Sequence, residues 1–380
     1  MRTCFIIEYY PPHVGGGETL FSGLAAGLVR AGHSCEVVTS AGPGMAGSRS
    51  EEGVLVHRVR VPARGDRHFF TVLSLKKALE AASRADVVHT MTYNAAPVAW
   101  LCGRVLHKPV VLLAHEVLGR TWFSAGFSRP AALGFKAAED AVLALPFSAY
   151  AANSRSTEES LAEHGIDRRK IRLIYPGLDY AEAEAAQKTD RRAARRRLGF
   201  SPEDFGVGFF GRPGAVKGVD VLVEAAARAR REVKNLKLTL ILSREPAGRR
   251  KKIGRMAGEL PPGFVQILDP VPRAELLPLI RGFDLAVFPS LSEGFGFSCA
   301  EACAAGVPVV ASRVGSLPEV AGGKHLLVPP GDPEALAKAI VRASCGGLSA
   351  APVRRFPLNA CVEGHIQLYQ ELVAGREGPA

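Results

Sequence analysis

The chain has 380 residues, 47% of them hydrophobic and 22% charged, which excludes a fibrous or disordered protein and is too long for one ordinary core. A formal net charge of +11 points to an anionic partner: a nucleotide, a nucleic acid or an acidic membrane surface. Seven cysteines without CxxC spacing fit reduced, buried thiols in a cytosolic protein, not a disulfide framework. No run approaches the roughly 20 apolar residues of a membrane span. The opening MRTCFIIEYYPP lacks the apolar stretch and cleavage site of a secretory signal, so a cytoplasmic location is expected.

Residues 3–7 read as a first strand, followed by the turn Pro11-Pro-His-Val-Gly-Gly-Gly17. Leu20, Phe21, Leu24, Leu28 and Val29 then have helical spacing, and Gly32 ends that helix. A glycine loop between strand and helix suits either a bound phosphate or a tight turn; it is neither GxGxxG nor a Walker A loop. Strand-like runs recur at 35–39, 54–61, 86–89, 110–115 and 149–153, with helix-like runs at 69–83, 95–106, 130–144 and 154–164. This alternation predicts an α/β fold with a doubly wound parallel sheet, whose ligands bind beyond the carboxyl ends of the strands. His13, His89, His115 and Asn153 are expected at or just past such ends. In the pair His115-Glu116 the imidazole suits contact with a reacting group or a purely structural role, and both stay open. Segments 67–77 and 120–129 mix aromatic and basic residues. Packing is favoured for the first, and an acceptor or membrane contact for the second, around Trp122 and Phe127.

After a strand at 171–175 and the turn Pro176-Gly-Leu-Asp179, residues 180–199 turn rich in Ala, Glu and Arg. The run Arg191, Arg192, Arg195, Arg196 and Arg197 reads as a solvated helix face, or as a contact for acidic headgroups. A second βα series follows, with strands at 206–210, 236–242, 264–268, 285–288, 307–311 and 326–328. Arg212 and Lys217, in the loop after its first strand, suit a diphosphate, the one as a fork and the other as a point charge. The stretch 288–314 reads as strand, glycine turn, helix and strand. It carries Glu293, the turn Gly294-Phe-Gly-Phe297, and Glu301 about one turn inside a helix at 298–305. The start of that helix offers free N–H groups to an anion. Cys299 and Cys303 share its face without a histidine pair, so packing is the expectation for both. A last helix at 358–373 follows a break in the pattern.

In order, the second half reads GR-x₄-KG (Gly211 to Gly218), PS-x₂-EGFG-x₄-E (Pro289 to Glu301), A-x-G-x-PVVA (Ala304 to Ala311) and G-x₂-PE-V (Gly315 to Val320). With YPP-x-x-GG at Tyr10 to Gly16, His115-Glu116 and PG-x-D at Pro176 to Asp179, the chain resembles the GT-B retaining glycosyltransferases of family 4, glycosyl transferases group 1. The resemblance implies two Rossmann-like domains facing across a cleft. Residues 1–179 would bind acceptor, 180–204 would link, 205–355 would bind a nucleotide sugar, and 356–380 would pack back on the first domain. It implies catalytic roles for His115, Glu293, Arg212 and Lys217. It places donor contacts at Gly16, Gly17, Arg212, Lys217, Val271, Glu293, Gly294, Phe295, Gly296, Phe297, Ser298 and Glu301, with Glu301 on the ribose. His13, Trp122 and Asn153 are the implied acceptor contacts. The implied partners are a UDP- or GDP-linked sugar, a glycan, lipid-linked or small-molecule acceptor, and peripherally an anionic membrane. No metal, cofactor or nucleic acid is implied. The alternative is a relative of the same fold that epimerises nucleotide sugars or assists another transferase without catalysis. The chain departs from the family pattern at Pro213-Gly214, Ser243-Arg244-Glu245, Asp269 and Glu116.

Overall fold

Short runs of β-branched and other apolar residues fold here as parallel strands covered on both faces, as the all-buried Val-Val-Leu-Leu-Ala (Val110–Ala114) and Leu-Ala-Val-Phe (Leu285–Phe288) illustrate. The structure is a computed structural model describing residues 1–377 except Val14, Pro43, 63–65 and Ala125. Val14 of the first glycine loop and Ala125 of the aromatic segment thus lie outside the described residues. By internal contacts the chain forms two compact units. One comprises Met1–Arg120, Pro130–Leu178 and Phe356–Ala380, the other Thr121–Arg129 and Asp179–Arg355.

The first unit contains β1 (Arg2–Ile6), β2 (Ser34–Ser40), β3 (Gly47–Glu51), β4 (Val54–Val59), β5 (Val87–Met91), β6 (Val110–Ala114), β7 (Ala149–Ala152) and β8 (Ile171–Leu173). Their order is β3-β4-β2-β1-β5-β6-β7-β8, parallel except that β3 runs antiparallel to β4. The second unit contains β9 (Phe205–Gly211), β10 (Leu236–Leu242), β11 (Val265–Leu268), β12 (Leu285–Phe288), β13 (Val309–Ser312), β14 (Gly323–Val328) and β15 (Ser349–Ala351). Their order is β11-β10-β9-β12-β13-β14-β15, with only β15 antiparallel among the described pairs. Strand order reverses between β1 and β5 in one sheet and between β9 and β12 in the other, so each has a switch point where a doubly wound sheet opens a crevice. No described helix is long and apolar enough to cross a membrane.

Several expectations change. β3, of sequence Gly-Ser-Arg-Ser-Glu, lacks an apolar face and escaped periodicity. The run at 69–83 is two helices, Asp66–Leu73 and Leu75–Arg84, and packing does not account for the first. Phe70 is in the core, whereas Phe69, Val72 and Leu73 are 49%, 70% and 47% exposed. The arginine run is not simply a solvated face: Arg195 is buried, its guanidinium 2.6 Å from Asp284 and donating to the carbonyls of Ser201 and Asp204. Arg191 reaches the other oxygen of Asp284, and Arg197 pairs with Glu275. Six of the seven cysteines are buried, but Cys345 is exposed.

The last helix, Leu358–Glu377, packs on helix Gly16–Arg30 of the same unit. A Cβ on Gly27 would come 2.3 Å from Val362, so the small residue permits this close approach. Beneath the helix, His89 is not at a strand end as expected but inside β5 and fully buried. Its Nδ1 lies 2.5 Å from the Tyr369 hydroxyl, and its ring stands 5.3 Å from that of His365. His365 Nδ1 lies 2.8 Å from the Cys361 carbonyl and acts as donor to it. The Nε2 atoms of both rings are buried without a hydrogen-bond partner.

Burial disfavours the imidazolium, pushing His365 down to about 4 and His89 well below its ordinary value, where the second imidazole adds to the effect. Both are neutral when folded and bind protons more readily when unfolded. Their contribution is therefore complete above the ordinary value of 6.5 and is lost as pH falls toward 4. Urea denaturation of the wild type should lose roughly 3 kcal/mol between these limits from His365 alone, at about 1.4 kcal/mol per pH unit. His365→Asn, which keeps a donor for Cys361, should flatten that slope; an unchanged slope would remove His365 from the explanation.

Candidate functional site

In the second unit, two loops leave the carboxyl edge on either side of the switch point, one after β9 and one after β12. The Leu291 N–H donates to the Val216 carbonyl at 2.6 Å and ties them together. Lys217 Nζ then reaches both oxygens of Glu293, at 2.7 and 2.8 Å, and Ser290 Oγ donates to Oε2 at 3.1 Å. The carboxylate is mostly buried, so it is held by charge and hydrogen bonds, not by bulk water. Behind it, the Glu293 carbonyl accepts from the N–H and hydroxyl of Ser316. Gly315 has φ +53, and a Cβ there would stand 2.2 Å from that carbonyl oxygen. The G-x₂-PE-V segment thus braces Glu293 from behind and needs glycine to do so.

The two expected cations behave differently. Lys217 is committed to Glu293, whereas Arg212 is exposed and makes no ion pair or hydrogen bond among the described residues. No diphosphate clamp is assembled in this conformation; Arg212 is the available cation. Helix Phe297–Ala304 begins at Gly296, which is left-handed and provides no side-chain cap. Its first N–H groups therefore lack an internal acceptor. Gly294 and Gly296 are buried, Phe297 and Ser298 half-buried. The Phe295 side chain is core, leaving only its backbone for a ligand.

Glu301 is 7% exposed, and Arg273 Nη1 lies 2.6 Å from its Oε1. Oε2 has no hydrogen-bond partner among the described residues. Burial pushes the Glu301 carboxyl above its ordinary value, and Arg273 opposes that shift. Arg273 also holds Glu182 at 3.0 Å. It was missed in the sequence because its link to Glu301 spans 28 residues and leaves no local pattern. Half-buried Val271 precedes Arg273 by two positions, so its loop adjoins the Glu301 side. Two of the family departures answer each other: Asp269 pairs with Arg244 at 3.1 Å and with Arg250 at 2.6 Å. Arg244 thus ties the loop after β10 to the loop after β11.

In the first unit the glycine loop differs from expectation. Helix Gly16–Arg30 starts with no side-chain cap, but a Cβ on Gly15 would meet Glu18 Oε2 at 2.2 Å. A carboxylate therefore already lies at the helix start, and a phosphate on Gly16 and Gly17 would face its charge. His13 pairs with Glu18 at 2.8 Å and stacks on Tyr9, so its ring is not free for an acceptor in this conformation. Asn153 is also corrected: it is fully buried, and Nδ2 donates to the His115 carbonyl at 2.7 Å while Oδ1 accepts from Thr157. It positions His115, which follows β6 and is half-buried. Buried Glu139, also missed, accepts from the N–H groups of Leu118 and Gly119 and fixes the loop beyond. Trp122 is half-buried beside Phe127, ring centroids 5.7 Å apart, with Phe123 exposed. Among the described residues, no three His, Cys, Asp or Glu gather as a metal-binding set.

Arg273→Ala strips a buried carboxylate of its cation. Discounted for the partial exposure of Arg273, the loss should be about 1–3 kcal/mol at pH 7 in urea denaturation, with part recovered by adding Glu301→Gln. A single variant as stable as wild type would contradict the ion-pair role.

Residues 204–344 match the family described as Glycosyl transferases group 1, and residues 14–182 match Glycosyltransferase Family 4. A D-inositol 3-phosphate glycosyltransferase of Salinispora arenicola is 30% identical over 78% of this chain and 71% of its own length. One from Nocardia farcinica is 31% identical over 61% of this chain, which spans only 52% of that protein. Among solved structures, Anabaena HepE in complex with UDP and glucose aligns at a TM-score of 0.71, with 20% identity, 99% of this chain and 96% of that one covered. Sucrose-phosphate synthase from Thermosynechococcus elongatus aligns at 0.75, with 21% identity and 99% and 98% covered. With the two sheets and their switch points, these findings establish that the chain belongs to glycosyltransferase family 4 and is a glycosyltransferase of the GT-B fold.

Proposed function

We propose that this enzyme transfers a hexose-type sugar from a nucleoside-diphosphate sugar to a hydroxyl of its acceptor with retention of configuration and without a metal ion. The observation that carries the proposal is the assembly around Glu293. A carboxylate held by Lys217 and Ser290 stands at a switch point, next to an uncapped helix start and an exposed Arg212. In this reading Glu293 accepts from the sugar hydroxyls, and the N–H groups of Gly294 to Ser298 face the sugar and diphosphate. Glu301 accepts from the ribose hydroxyls through Oε2, and the loop at Val271 borders the base. Arg212, and Lys217 once it leaves Glu293, stabilise the charge that develops as the anomeric carbon–oxygen bond to the diphosphate breaks. The acceptor oxygen bonds to that carbon on the same face, and its proton passes to the departing phosphate oxygen. A catalytic role for His115 belongs to the proposal.

UDP is favoured as the nucleotide because HepE was crystallised with UDP and with UDP-glucose. The names of the curated relatives favour a small phosphorylated polyol among acceptors. A glycan or lipid-linked acceptor remains part of the proposal, supported by exposed Phe69, Val72 and Leu73 beside Lys76 and Lys77. Peripheral contact with an anionic membrane belongs with it.

A thermal-shift panel of UDP-, GDP- and ADP-sugars tests the donor site. One nucleotide sugar should stabilise the enzyme, by about 2.7 kcal/mol at a hundredfold excess over its dissociation constant. Glu301→Ala should abolish that shift; a panel without any shift at millimolar concentration would defeat the donor assignment. Release of nucleoside diphosphate only when acceptor is added separates transfer from epimerisation, and it should persist in EDTA. Flotation with phosphatidylglycerol vesicles should recover the wild type and lose at least half of a Val72→Ser, Leu73→Ser double variant. Equal recovery would remove that surface from membrane contact.

A further inference from the structure

We infer that the first unit carries a subsite for an anionic group of the acceptor, in the cavity beyond the carboxyl ends of β1, β2 and β4, with Arg60 as its cation. This rests on reading the chain as a transferase with a bound acceptor. Because the three strands are mutually parallel, the loops that follow them rise on one edge. Together they line a cavity of about 850 Å³, a volume suited to a molecule of one or more rings.

The lining is chemically asymmetric. Tyr9 forms one wall, stacked on His13 with ring centroids 4.4 Å apart and planes within 13°. Glu18 fixes His13 from below, so the wall is a rigid flat surface against which a ring can pack. Met45 and Val61 add apolar area. Arg58, one of two guanidinium groups among the described lining residues, is neutralised: it binds Glu51 at 2.5 and 3.0 Å and the Pro11 carbonyl at 2.7 Å. It braces the cavity and has no net charge to offer.

Arg60 is different. It is exposed and makes no ion pair or hydrogen bond among the described residues, and none of the described lining residues is Asp or Glu. An uncompensated guanidinium in a concave site whose described lining carries no carboxylate attracts anions, and its fork matches phosphate or carboxylate oxygens in pairs. The ligand class is therefore a ring-bearing molecule with a phosphate or carboxylate. A soluble sugar phosphate and the phosphodiester headgroup of a lipid share that chemistry.

The test uses the full chain with glucose 6-phosphate, glucose and UDP as probes in isothermal titration calorimetry, for wild type, Arg60→Ala and Arg60→Lys. Glucose 6-phosphate should bind wild type more tightly than glucose does. Arg60→Ala should weaken it at least tenfold and Arg60→Lys by less, with UDP binding and melting temperature unchanged. Equal affinity of wild type and Arg60→Ala for glucose 6-phosphate would overturn the subsite, as would no binding of it at millimolar concentration by a wild type that binds UDP. Failure of UDP to bind would count against the donor reading alone, because the Arg60 comparison stands without it. Arg60-dependent capture on phosphatidylinositol vesicles, absent on phosphatidylcholine, would identify the lipid source. Arg60-dependent binding of glucose 6-phosphate alone would identify the soluble one.

Discussion

A carboxylate at the open edge of a parallel sheet needs a cation and donors close by, and Glu293 obtains them from loops far apart in sequence. Lys217 comes from beyond β9, and Ser290 from just beyond β12, in the loop that carries Glu293 itself. The Leu291–Val216 backbone bond holds these loops together, and Ser316 with Gly315 closes the rear. The helix start, the buried glycines and Phe295 of the core all follow from fixing this one turn. Glu301 shows the same physics one helical turn onward, where burial raises its carboxyl and Arg273 restrains the shift. Each carboxylate has one cation already in place; in the proposed reading Lys217 leaves Glu293, whereas Glu301 keeps Arg273 and offers its other oxygen.

The first unit uses its polar groups differently. At its carboxyl edge Glu18 occupies the helix start, Asn153 holds the His115 backbone, and Glu139 holds the loop after it. These residues shape the edge and leave few groups facing outward. Arg60 stands out because it is exposed and makes no ion pair or hydrogen bond among the described residues.

Much of this was legible in the sequence. Buried parallel strands are continuous apolar runs, and glutamates beside a glycine turn between two of them are conspicuous, which singled out Glu293 and Glu301. Lys217 was read as a diphosphate cation, and its hold on Glu293, 76 residues away, left no local pattern. Arg273 was not singled out, because a basic residue at a helix start resembles any solvated one until its partner is known. The arginine run was misread for the same reason: Asp284 decides the burial of Arg195, and it lies 89 residues away. Asn153 looked like a ligand because it follows a strand, and only burial shows that its amide serves the backbone. β3 escaped because a polar edge strand carries no hydrophobic period.

The proposed division of a donor site into a diphosphate end and a sugar end is tested most directly by calorimetric titration. UDP and UDP-sugar, or the nucleotide that the enzyme selects, would be titrated into wild type, Lys217→Met, Glu293→Gln and the double variant. Lys217→Met should weaken both ligands alike. Glu293→Gln should leave UDP within about twofold while removing most of the extra affinity that the sugar confers. Equal weakening of UDP and UDP-sugar by Glu293→Gln would contradict the assignment of Glu293 to the sugar and of Lys217 to the leaving group.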